Sequence, residues 1–136
     1  MSKGMQTASV VAGTENFPIT GHSVYLPEMR LVNPCNSRQH WRVVARRARE
    51  QRALTHAILT MAQKQWTLIF SRHAKVTLTR IAKRKMDSDG LAASFKAVRD
   101  GVADVFGIDD GSDYFEWHYE QKIEKYYGVE IRIEPK

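Results

Sequence analysis

The chain has 136 residues, the length of one domain, and its 43% hydrophobic and 10% aromatic content can bury a core without disulfide staples. This balance, with a single cysteine at Cys35, excludes collagen-like, disordered and disulfide-scaffold classes and points to a reducing, cytoplasmic setting. The net charge of +6 is unevenly spread: residues 1–86 hold 15 basic and three acidic residues, and residues 87–136 hold six basic and twelve acidic ones.

Residues 1–20 show no clear periodicity and read as a mobile arm ahead of a single domain over 21–136. No apolar run exceeds three residues, as at Leu68-Ile69-Phe70, so no membrane span is expected, and the N-terminus lacks the apolar core of an export signal. Ser23–Leu26 is a short strand stopped by Pro27, which has no ladder donor. Turn chemistry at Asn33–Ser37 then leads into a helix running to about Gln65, with Asn36 or Ser37 as its N-cap and Gln39 as a capping-box partner. Lys75–Ile81 sets Val76 and Leu78 against Thr77 and Thr79, a period-two strand that closes on the basic run Lys83-Arg84-Lys85. A second helix is expected from Ser88 to Phe106, ending before Gly107. Tyr114–Ile123 alternates Phe115, Trp117, Tyr119 and Ile123 with Glu116, His118 and Glu120, and after Gly128 comes a last strand with Val129, Ile131 and Ile133. The expected class is α/β: one compact domain, a mixed sheet and two main helices in the order β-α-β-α-β-β.

The first helix carries a basic stripe. At 100° per residue, Arg38, Arg42, Arg46 and Arg49 fall within about 80° of one another, with Glu50 the one acid nearby. Arginine forks match phosphate oxygens, so such a row can follow a nucleic-acid backbone. Its alternative is an ordinary solvated helix face. Trp41, Val44, Ala48, Ile58 and Leu59 gather on a neighbouring face assigned to the core, and His40 and Trp41 are also placed to stack on a base or sugar.

All seven aspartates lie between Asp87 and Asp113. On a wheel with Asp89 at 0°, Lys96 falls at about −20° and Asp100 at about +20°, while Leu91, Phe95, Val98 and Val102 fall on the opposite side. Asp87 precedes this helix, and Asp109-Asp110-Gly111 follows it as a turn able to fold back. A pure DNA binder has no need of clustered carboxylates, which repel phosphate; a nuclease uses them to hold metal ions against the scissile group. Caps and turns are the competing explanations for the same residues. An EF-hand is rejected because Leu91 stands where a ligand is needed, and zinc because the five histidines are scattered around one cysteine. Hard oxygen donors favour Mg²⁺, with Mn²⁺ able to substitute.

Asp87-Ser88-Asp89-Gly90-Leu91, Lys96-Ala97-Val98-Arg99-Asp100-Gly101 and Gly107-Ile108-Asp109-Asp110, taken together, resemble the RusA family of Holliday junction resolvases, many of them phage-encoded. The upstream Asn36–Trp41 segment with its arginine-rich helix is similar to the substrate-binding part of phage members. The resemblance covers roughly residues 24–134. It implies a homodimeric, Mg²⁺-dependent endonuclease that binds four-way DNA junctions and nicks two strands symmetrically. Carried over by position, it makes Asp87, Asp89 and Asp110 catalytic metal ligands, Asp100 and Asp109 further acidic positions of the metal site, and Lys96 the catalytic lysine. Arg38, Arg42, Arg46, Arg49 and Lys83, Arg84 and Lys85 would contact DNA. Two positions depart from the pattern: Gly90 stands where the family usually has Asn, and Lys96 follows Asp89 by seven residues rather than four. The alternatives are a non-catalytic junction-binding protein and a nuclease of broader branched-DNA specificity.

Clustered carboxylates repel one another, so Asp89→Asn is expected to leave metal-free stability unchanged or to raise it.

Overall fold

A computed structural model describes residues 22–33, 40–64, 73–108 and 113–135. The proposed arm at 1–20, the cap candidates Asn36 and Ser37, and Arg38, Asp109 and Asp110 lie outside the described residues. The elements are β1 (His22–Pro27), α1 (Trp41–Gln63), β2 (Ala74–Ala82), α2 (Ser88–Ser94), α3 (Lys96–Phe106), β3 (Phe115–Ile123) and β4 (Gly128–Pro135). The strands form one mixed sheet in the order β1-β4-β2-β3. The fold is therefore α/β, as expected, with one helix more than the sequence suggested.

Strand pairing follows from where the apolar residues fall. β4 runs antiparallel to both β1 and β2, while β2 and β3 are parallel and joined by a crossover that carries α2 and α3. The registers Val24↔Ile131, Leu78↔Ile131 and Leu78↔Tyr119 put one phase of every strand on the same side. On that side Leu26, Val76, Leu78, Val129, Ile131 and Ile133 are buried against Leu59 of α1, Leu91, Phe95, and Val98 and Val102 of α3. A one-residue slip would turn this whole set outward, so burial of a single face fixes the register.

The expected second helix is two helices. Phe95 sits at φ −90°, ψ 0°, outside helical geometry, between α2 and α3. Two causes act there: the Ser94 hydroxyl donates back to the Leu91 carbonyl (2.8 Å), and the Phe95 ring is fully buried and stacked on Tyr119. The wheel that lined up Asp89 with Lys96 and Asp100 therefore does not carry through Phe95. The apolar side survives the break, since Leu91, Phe95, Val98 and Val102 are all buried. Gly107 ends α3 in the left-handed region at φ 66°, and Ile108 N–H reaches back to the Ala103 carbonyl (3.0 Å).

α1 starts at Trp41, with His40 rather than Asn36 or Ser37 as its N-cap: the His40 Nδ1 accepts from Arg42 N–H at 3.1 Å. Its fully buried residues are Thr55 and Leu59, near the crossing with α3. A Cβ on Gly101 would lie 2.8 Å from Thr55 Cβ and 2.9 Å from the Arg52 carbonyl, so the bare glycine sets how closely the two helices approach. Upstream of this crossing the helix face assigned to the core is open. Trp41 is 67% exposed and Ala48 is exposed as well, a correction to the wheel reading. Ile123, expected inward, is 53% exposed because it is the last residue of an edge strand. Among the described residues no helix is long and apolar enough to cross a membrane.

Candidate metal and nucleic-acid site

The chain leaves β2 at Ala82 and crosses four residues to Asp87, the N-cap of α2. Three of those four, Lys83, Arg84 and Lys85, are exposed. What holds this loop is a polar group on the inward phase of the sheet. Arg80 is buried, and its Nη1 donates to the Arg84 carbonyl (2.7 Å) and to Gln121 Oε1 (3.2 Å). Gln121 also accepts from Met86 N–H (2.8 Å) and donates to the Met86 carbonyl (2.6 Å). One carboxamide thus grips both backbone groups of the residue before Asp87. Burial lowers the Arg80 pKa; Tyr127 opposes that effect, and the nearby Arg30 charge adds to it.

Asp87 has extended backbone geometry and caps α2, its Oδ1 accepting from Gly90 N–H at 3.1 Å. A carboxylate has two oxygens, so this bond leaves the group able to accept elsewhere. Asp89 follows in the first turn of α2, exposed. Gly90 is required by close packing. A Cβ built there would lie 2.5 Å from Asp87 Oδ1 and closer still to Asn33 Nδ2. Asn33, in the loop after β1, thus brings its carboxamide against the bare backbone of Gly90.

Lys96 and Asp100 come together on α3, Nζ to Oδ1 at 2.7 Å. Asp100 also has Arg52 Nη1 at 3.8 Å, and Arg52 makes a two-pronged bond to Asp104 at 2.6 and 2.8 Å. That bond is the main reason the Asp104 carboxyl lies below its ordinary pKa. Lys96, Asp100, Arg47, Arg49 and Arg52 line a cleft of about 320 Å³ between α1 and the α2–α3 pair, floored by Val32, Val44, Ala93 and Ala97. Of the stripe, Arg42, Arg46 and Arg49 are exposed, and Arg42 lies over the exposed Trp41 ring at 5.2 Å.

Asp87 and Asp89 stand at the start of α2, while Asp100 is turned to Lys96 and Arg52. Among the described residues no three or more His, Cys, Asp or Glu side chains are grouped so as to hold a metal ion. A Mg²⁺ ion, however, keeps several waters and is commonly bound through one or two carboxylates plus substrate phosphate, which is the donor set Asp87 and Asp89 offer. Sequence reasoning missed Gln121, Arg80 and Asn33. Arg80 and Gln121 are polar residues on the apolar phase of their strands, a visible signal; nothing in the sequence pattern marks Asn33.

The fold and this site define an α/β domain with two exposed carboxylates, Asp87 and Asp89, at the start of α2 after a basic loop. No protein-family model matches the chain, and no curated protein matches it either.

Proposed function

We propose that the chain is a Mg²⁺-dependent endodeoxyribonuclease of branched DNA, acting in the cytoplasm as a homodimer that nicks four-way junctions in pairs, like the RusA-family resolvases its motifs resemble. The observation that carries this reading is the placement of Asp87 and Asp89 at the start of α2, directly after the exposed Lys83-Arg84-Lys85 loop. Anionic ligands for a metal and cations for the phosphate backbone are the pair of features a nuclease needs side by side.

In this reading Asp87 and Asp89, with Asp110, would hold Mg²⁺ (Mn²⁺ substituting), which would supply Lewis-acid stabilisation of the phosphate and acidify a bound water. Arg80 and Gln121 fix the loop so that Asp87 is presented in one geometry. Lys83, Arg84 and Lys85 bind backbone phosphates near the cut, and Arg42, Arg46 and Arg49 engage a neighbouring arm. Lys96 is held by Asp100; released toward substrate, it would offset charge on the phosphate. The ion pairs at Asp100 favour a second reading, a junction-binding protein without catalysis, because they draw one acidic position away from the metal set.

Nicking of branched DNA in Mg²⁺, compared between the wild-type chain and Asp89→Asn, tests the proposal. Losing a metal ligand removes several kcal/mol of charge stabilisation, so the variant is expected to lose roughly a hundredfold or more in rate while still binding DNA. Tight binding with no cleavage by the wild-type chain in Mg²⁺ or Mn²⁺ would leave the binding-only reading.

A further inference from the structure

Three of the six exposed large apolar side chains among the described residues lie at one end of the sheet. Tyr25 is 43% exposed, Tyr126 is 48% exposed and Ile123 is 53% exposed, all at or beside the β3–β4 turn and the end of β1. Tyr25 packs its ring edge on Gly128, where a Cβ would lie 2.6 Å from its hydroxyl oxygen. The next residue along, Tyr127, has two cations over one ring: Arg30 at 5.0 Å and Lys83 at 5.4 Å from its centroid.

The backbone is built to place them there. Glu28 takes a positive φ of 59°, and its N–H donates to the Tyr127 carbonyl (3.0 Å), turning the chain back after β1. Met29 and Leu31 are buried on either side of Arg30, so Arg30 is left outside, over Tyr127. Exposed Arg84, Lys85 and Lys125 add positive charge at this end. The acids nearby are Glu28, exposed, Glu130, half-buried opposite Tyr25, and Glu124, met by Lys122 at 3.7 Å.

This end adjoins the carboxylates of α2. Asn33, which packs on Gly90 and Asp87, is three residues from Arg30, a backbone reach of at most about 11 Å. Lys83 is four residues from Asp87, at most about 14 Å.

We infer that Tyr25, Tyr126 and Tyr127, with Arg30 and Lys83, form a seat for an unpaired nucleotide of a DNA strand beside the cleavage site. The inference rests on the nuclease reading and names how that site selects its substrate. Cations alone would serve a duplex backbone, whereas the exposed Tyr25 and Tyr126 rings gain by stacking on a base face, and in a duplex those faces are taken by neighbouring bases. A branch point offers bases that have lost a stacking neighbour. Burial, Tyr126 and Glu28 all raise the Tyr25 pKa, so its phenol stays neutral beside a phosphate.

The test is binding of the full chain to a labelled twelve-nucleotide oligo(dT) single strand and to a duplex of that length, in EDTA so that nothing is cut. Tyr126→Ala is expected to weaken single-strand binding by about ten- to a hundredfold and duplex binding much less, with Tyr126→Phe close to wild type. Single-strand binding unchanged in Tyr126→Ala, while the wild-type chain still cuts junctions, would overturn this seat and leave the nuclease reading standing. Failure of the wild-type chain to bind any DNA would overturn both. Loss of a dimer in Tyr126→Ala, with DNA affinity intact, would make this end a self-association face and also overturn the inference.

Discussion

Replacing Gln121 by alanine cuts the tie between β3 and the loop that presents Asp87. Three hydrogen bonds go with it: from Met86 N–H, from Arg80 Nη1, and to the Met86 carbonyl. Each such bond contributes a net 0.5–1.5 kcal/mol, and the region is only partly buried, so water recovers some of the loss; a cost of about 2–3 kcal/mol is expected. With an unfolding entropy of about 2.1 cal/mol/K per residue over 136 residues, 1 kcal/mol corresponds to about 3.5 °C, which predicts a Tm lower by about 7–10 °C. Calorimetry measures this directly. On the nuclease reading proposed above, the cleavage rate is expected to fall about ten- to a hundredfold, and junction affinity to weaken as well, since the same loop carries Lys83, Arg84 and Lys85. A variant that melts within a degree or two of wild type would refute the claim that this carboxamide holds the loop.

Other consequences follow from particular contacts. Gly101→Val drives a side chain into Thr55 and the Arg52 backbone, and overpacking of this kind costs about 1–3 kcal/mol, read as a lower urea midpoint; an unchanged midpoint would mean α1 and α3 are not held this closely. Gly90→Asn collides with Asp87 and Asn33 and is expected to cost about 1 kcal/mol through the lost cap. Adding Asn33→Gly should recover part of it, a coupling that a double-mutant cycle measures. The two-pronged Arg52 bond depresses the Asp104 pKa below 3.8, so its stabilisation is present at neutral pH and is lost as pH falls through the lowered folded value. The pair is largely solvent-exposed, hence worth about 0.2–1 kcal/mol, and the Tm gap between wild type and Asp104→Asn should close on acidification below the normal aspartate range. A gap independent of pH would assign the effect to packing instead.

The strands and the apolar side of the crossover helices are legible in the sequence because a single buried face imposes one period along each element. Phe95 shows the limit of that reasoning. It keeps the apolar phase of a continuous helix while breaking the backbone, because burial of its ring against Tyr119 and the Ser94 back-bond outweigh helix continuation. Trp41 shows another limit: a wheel assigns faces but not the point where a neighbouring helix crosses, and α1 meets α3 around Thr55 and Gly101, leaving Trp41 in solvent and its first turns only half-covered. Arg80 and Gln121 interrupt the alternation of β2 and β3 at paired register positions, which marks a polar network inside a core. Asn33 lies outside any periodic element, and only the three-dimensional approach to Gly90 reveals it. Asp89 lies in the first turn of α2, where a negative charge favours the helix, an effect that opposes the gain expected from relieving carboxylate repulsion in Asp89→Asn.

The most direct test of the central claim is to map the cuts made in Mg²⁺ on each strand of a labelled, mobile four-way junction, with linear duplex of matching sequence alongside and Asp110→Asn as control. Paired nicks at symmetric positions on opposing strands, absent from the duplex and from the variant, are the predicted result. Equal cutting of junction and duplex, or cutting that survives Asp110→Asn, would contradict it.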